Sequence, residues 1–198
     1  MSADAIARRR AAIAGHVGDV DLARELLTHS DPSVRATALG ALERCRALDA
    51  TALGSALGDT DPSVRRRAAE LAAAHPEIPL LPLLNDPDDS VVEMAAFACG
   101  ERPAAEDGMV EPGVVERLSE LAVHHDDALV REAAVASLGA LGDGLPAILL
   151  ATRDKPAVRR RAIIALAPFE GPQVEAALRR ALGDRDWQVR QAAEDLLA

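Results

Sequence analysis

The sequence predicts an all-α solenoid of stacked helix pairs, and three observations carry that expectation. Of 198 residues, 49% are hydrophobic but only 2% aromatic, with two Phe, one Trp and no Tyr. A core made mostly of Ala, Leu, Val and Ile suits helices better than strands, which favour aromatic and β-branched side chains. The run Asp31-Pro-Ser-Val-Arg35 returns as Asp61-Pro-Ser-Val-Arg65, and weaker copies follow down the chain. After each copy, small and apolar residues recur at helical spacing, which makes the motif the mark of a repeating structural unit.

The copies align on Val34, Val64, Val91, Val130, Val158 and Val189, spaced by 30, 27, 39, 28 and 31 residues. Four residues after each anchor stands an alanine: Ala38, Ala68, Ala95, Ala134, Ala162 and Ala193. Eight residues after it come Leu42, Ala72, Cys99, Leu138, Leu166 and Leu197. These positions share one helix face, so each copy carries a stripe to bury, and the small residue in its middle admits a neighbouring helix at close range. Leu27, Leu57, Leu84, Val123, Ala151 and Leu182, seven residues before the anchors, close a preceding helix. Each unit is thus a pair. In the clearest copies Asp at the N-cap and Pro at the first helical position start the second helix, one accepting from a free N–H and the other presetting φ.

In chain order the pattern places an amphipathic capping helix at about 3–15. Pairs follow at about 19–28/32–46, 49–57/62–74, 77–84/88–99, 113–124/127–141, 145–152/156–167 and 172–182/186–197. The long interval holds an insertion, Glu101-Arg-Pro-Ala-Ala-Glu-Asp-Gly-Met-Val-Glu-Pro-Gly113, which carries Glu101, Glu106, Asp107 and Glu111. It reads equally as a binding loop and as an idle acidic one. In the last unit Glu194 replaces the apolar residue found at Leu39, Ala69, Ala96, Val135 and Ile163, as expected of a helix that no further repeat covers. The expectation is one repeat domain over residues 1–198.

The motif Asp-Pro-x-Val-Arg followed by Ala and Leu resembles the HEAT-like repeat family, in particular the short repeats of phycobilisome-lyase-type HEAT proteins, over residues 19–198. Tetratricopeptide and ankyrin signatures do not fit. The resemblance implies an armadillo-like, right-handed superhelix of about six helix pairs whose second helices line a concave surface. Two positions depart from the pattern. Val92 takes the place of the repeat arginine in the third unit, and Lys155 that of the capping aspartate in the fifth, with Asp154 beside it and able to cap.

Lys and Arg number 22 against 32 Asp and Glu, a formal charge of −10, which disfavours a nucleic-acid backbone or an anionic membrane as partner. No apolar run approaches the roughly 18 residues that span a bilayer, and the N-terminal stretch lacks a secretory apolar core. Cys45 and Cys99 have neither CxxC spacing nor disulfide density and read as reduced thiols of a cytoplasmic protein.

Arg35, Arg65, Arg131, Arg159 and Arg190 follow their anchors directly. With Asp31, Asp61, Asp127 and Asp186 they read as a structural ladder of arginine–carboxylate contacts along the stack, each worth about 0 to 1 kcal/mol if partly exposed. Arg66, Arg67, Arg160 and Arg161 lie beyond what such a ladder needs and are expected to point outward, with Glu93 and Glu132 between the two pairs. They read either as a mixed-charge site for a protein partner or as solvated helix surface.

The search for reaction chemistry yields no catalytic residue. His124-His125-Asp126-Asp127 has no i, i+4 zinc spacing, and His16, His29 and His75 sit where a side chain complements carbonyls at a helix end. No metal or cofactor is expected. Some HEAT-like proteins are DNA glycosylases and others are bilin lyases or chaperones, so a modifying enzyme on this fold is the alternative. Base stacking has little platform here, since Trp187 opens the last helix and Phe97 and Phe169 read as core. The leading expectation is a non-catalytic scaffold or adaptor for another protein.

Overall fold

A computed structural model describes residues 2–102 and 110–198 of the protein. Twelve α-helices succeed one another among the described residues, without a strand. They are α1 (Ala3–Val17), α2 (Val20–Leu26), α3 (Pro32–Arg44), α4 (Ala50–Leu57), α5 (Pro62–Ala72) and α6 (Asp89–Glu101). After the insertion come α7 (Val114–His124), α8 (Ala128–Leu141), α9 (Leu145–Ala151), α10 (Pro156–Ala165), α11 (Pro172–Ala181) and α12 (Trp187–Leu197). Asp31, Asp61, Asp88, Asp127 and Asp186 each cap a second helix, accepting from an N–H of its first turn.

The expected helix over 77–84 is the exception. There the chain forms only a 3-10 turn, Leu83–Asn85. Pro76, Pro79 and Pro82 remove three donors within seven residues, and their rings obstruct the preceding carbonyls, so no α-helical ladder can propagate. The leucine pattern still works as packing, because Ile78, Leu80, Leu83 and Leu84 remain buried. Two side chains near the ends of the insertion brace this irregular stretch. Glu111 accepts from the N–H groups of Leu80 (2.9 Å) and Leu81 (3.3 Å), and Arg102 donates to the Ile78 carbonyl and stands 3.7 Å from Glu111. Glu106 and Asp107 lie outside the described residues.

The second helices α3, α5, α6, α8, α10 and α12 touch in succession, with α1 packed on α3 at the head of the row. All six anchor valines and all six alanines of the repeat are buried. The third stripe position holds as far as Leu166, whereas Leu197 is 46% exposed, with no second helix packed beyond α12 among the described residues. Each fully buried Leu or Val contributes about 1.5–3 kcal/mol, so the apolar stripe is the main force along the stack. Small residues set the spacing of this row. A Cβ on Gly139 of α8 would lie 2.7 Å from Ala165 Cα of α10, and one on Gly100 of α6 would lie 2.9 Å from Ser137 Cα of α8.

Candidate functional site

The repeat arginines form a ladder whose carboxylates are not the capping ones. Arg35 donates through Nε (2.8 Å) and Nη2 (2.7 Å) to Asp59, and Arg65 likewise to Asp86 (2.7 and 2.8 Å). Arg131 grips Asp154 and Arg159 grips Asp184 by the same two-pronged contact. Each Nη1 meanwhile donates to carbonyls of its own turn, such as His29 and Ser30 for Arg35. One guanidinium therefore ties the turn of its own unit to the turn of the next.

Asp31, Asp61, Asp127 and Asp186, expected in this ladder, are occupied instead with capping their own helices. Asp154 does not cap α10, which starts without a side-chain acceptor; it takes Arg131 and the Lys155 N–H. The pairs are also better shielded than expected, with side-chain exposures of 10% and 20% for Arg131 and Asp154 and 9% and 16% for Arg159 and Asp184. The arginine hydrogen bond is the main cause that holds Asp59, Asp86, Asp154 and Asp184 below the usual carboxylate range, against the opposing effect of burial.

Where the arginine is missing, the aspartate is missing too. Val92 is apolar and buried, and the corresponding place in the next turn is His125, whose Nδ1 accepts from the Asp127 N–H just as Asp59 accepts from that of Asp61. His29 plays the same part in the first unit, accepting from Asp31 N–H. The signal for these residues was present in the sequence as a second column, five residues before most anchors, holding His29, Asp59, Asp86, His125 and Asp184. Arg190, in the last unit, binds the carbonyls of Asp184 and Arg185 and pairs with no carboxylate among the described residues.

Beyond the ladder, the second-helix layer presents the charged residues singled out above. Arg66, Arg67, Glu93, Glu132, Arg160 and Arg161 are all half-buried, so the arginines do not simply project outward. Arg67 pairs with Glu70 at 2.7 Å and lies over Gly40 of α3, close enough that a Cβ there would meet its Nη2 at 2.5 Å. Arg160 and Arg161 both approach Glu132 of the preceding second helix, at 4.0 and 3.5 Å. Arg66 makes no ion pair among the described residues. The arginine pairs of α5 and α10 are not brought together, since α6 and α8 stand between them.

Between α6 and α8 the layer opens into a groove of about 480 Å³. Met94, Phe97, Leu129, Ala133, Ala136 and Ala140 give it an apolar lining, and Glu93, Glu101, Glu132 and Arg161 supply the charge. Phe97 was expected in the core but is 46% exposed, and Leu129 is 58% exposed. Phe97 falls six residues after its anchor, on the row of Gly40, Glu70 and Ala136, where Arg67 lies over Gly40 but Glu70 and Phe97 are exposed.

The histidines do not cap helix carbonyls as expected. His75 sits between Glu43 Oε2 (3.0 Å) and Glu77 Oε1 (3.4 Å), and His16 Nε2 is 3.1 Å from Arg44. Burial alone would depress the imidazolium of His75, but the two glutamates outweigh it and hold its pKa above the ordinary value. Burial pushes the Cys99 thiol up to about 12. No three metal-capable side chains come together among the described residues, and none of their helices is long and apolar enough to cross a membrane.

A family model for HEAT repeats matches residues 77–151 and 145–198. An engineered protein of known crystal structure is similar over 90% of this chain and 95% of its own, with 22% identity and a TM-score of 0.67. The Escherichia coli protein YibA is similar over 100% of this chain and 75% of its own, with 18% identity and a TM-score of 0.70. A designed armadillo repeat protein in complex with the peptide (KR)4 is similar over 90% and 97%, with 17% identity and a TM-score of 0.67. At these identities the likeness is one of fold. No curated protein matches the chain.

Proposed function

The chain belongs to the HEAT repeat family, and from that premise we propose that it is a non-catalytic cytoplasmic scaffold or adaptor that binds another protein. In this reading residues 1–198 act as one repeat domain, and the concave second-helix surface is the docking face. The observation that carries the reading is the unbroken row of second helices presenting half-buried Arg66, Arg67, Glu93, Glu132, Arg160 and Arg161 beside exposed Phe97 and Leu129. Charges of both signs around an apolar centre suit a protein surface, whereas a nucleic-acid backbone calls for a continuous basic track. Repeat stacks supply such extended faces, and the similar designed armadillo protein is in complex with a peptide.

Cross-linked affinity purification from the native cell tests the proposal, with the four arginines reversed in charge as the control. A stoichiometric protein partner lost in the control is the expected result. If no protein is retained in stoichiometric amount, the adaptor reading falls.

A further inference from the structure

We propose that the groove between α6 and α8 receives a partner segment carrying one bulky apolar side chain flanked by Lys or Arg. This rests on the adaptor reading and narrows it to a place and a chemistry. The groove supplies apolar surface where the rest of the second-helix face supplies charge. Phe97 and Met94 project from α6, while Ala133, Ala136 and Ala140 of α8 leave room opposite them. Two exposed large residues, Phe97 and Leu129, border the same space, and an anchor seated between them would remove both from water. An aromatic side chain in a desolvated pocket is the usual carrier of binding energy at such sites.

Charge selects the flanks of the anchor. Three carboxylates line the groove against one guanidinium, and Arg161 already faces Glu132 at 3.5 Å. Glu93 and Glu101 pair with no cation among the described residues, so they are open to a basic residue on either side of the anchor. The net charge of −10 draws such a segment in and repels an acidic one.

Selection of randomised 12-residue peptides displayed on phage against the full-length protein tests this, with parallel selections against Phe97→Ala and Glu93→Lys/Glu101→Lys. Because Phe97 is half exposed, its truncation leaves the core intact, and far-UV circular dichroism verifies the fold of each variant. The expected result is enrichment of peptides with one Leu, Phe, Trp or Met and neighbouring Lys or Arg. A synthetic peptide of the enriched sequence should bind Phe97→Ala about tenfold more weakly, a loss typical of a truncated anchor. It should bind Glu93→Lys/Glu101→Lys several-fold more weakly and lose affinity with added salt. Acidic or wholly polar enriched peptides, equal binding to Phe97→Ala, or no enrichment over that variant would overturn the proposal. If a cellular partner is kept by Phe97→Ala but lost with the reversed arginines, the adaptor reading stands without this groove. Peptide binding with no cellular partner would separate the two in the other direction.

Discussion

The guanidinium of Arg131 on α8 holds the carboxylate of Asp154, in the turn before α10, through Nε at 2.6 Å and Nη2 at 2.9 Å, while its Nη1 donates to the carbonyls of His125 (2.7 Å) and Asp126 (2.9 Å). One side chain thus satisfies two turns at once. Arg131→Ala should destabilise the protein by about 2–3 kcal/mol, because it strands a shielded carboxylate and two carbonyls. A double-mutant cycle with Asp154→Asn should return a coupling of about 1 kcal/mol or more, read from urea unfolding. Arg131→Val/Asp154→His copies the Val92 and His125 solution and should lose less than the two single changes added together.

The ladder also sets the response to acid. Asp59, Asp86, Asp154 and Asp184 are depressed in the fold relative to the ordinary value of 3.8. Their contribution is therefore complete above that value, falls once the unfolded chain begins to take up protons there, and is gone below the folded pKa values. Urea midpoints should stay level from about pH 6 down to about pH 4 and drop beneath it, with a shallower drop in Asp154→Asn.

His75 has the opposite sign. Its raised pKa means that the charged imidazole, held by Glu43 and Glu77, adds stability fully below the unfolded value near 6.5. That increment disappears as pH rises through the folded value. The stability difference between the protein and His75→Gln should be present at about pH 6 and absent at about pH 9, as measured by thermal melts in matched buffers.

Close packing of second helices makes two glycines behave oppositely. Gly139→Val forces side-chain atoms against the Ala165 backbone and should cost about 1–3 kcal/mol or more. Gly54 in α4 is exposed, and a Cβ there meets nothing within 4 Å, so Gly54→Ala should stabilise by about 0.5–1 kcal/mol. Calorimetric melting temperatures that move the same way for both would contradict this account of the row.

The sequence by itself determined the period, the helix pairs, their caps and the buried stripe, because periodicity and capping are local and act within one or two turns of helix. Val34 through Val189 mark the units without knowledge of how the units stack. It also contained the reason that the first helix of the third unit is lost: three prolines outweigh a leucine pattern that still packs. Only the tertiary structure decided which carboxylate each arginine grips, since those partners lie 21 to 25 residues away and meet through the superposition of one unit on the next. The same superposition leaves Phe97 in the open and turns Arg161 toward Glu132. Both follow from which face of a helix its neighbours cover, and a single repeat does not encode that.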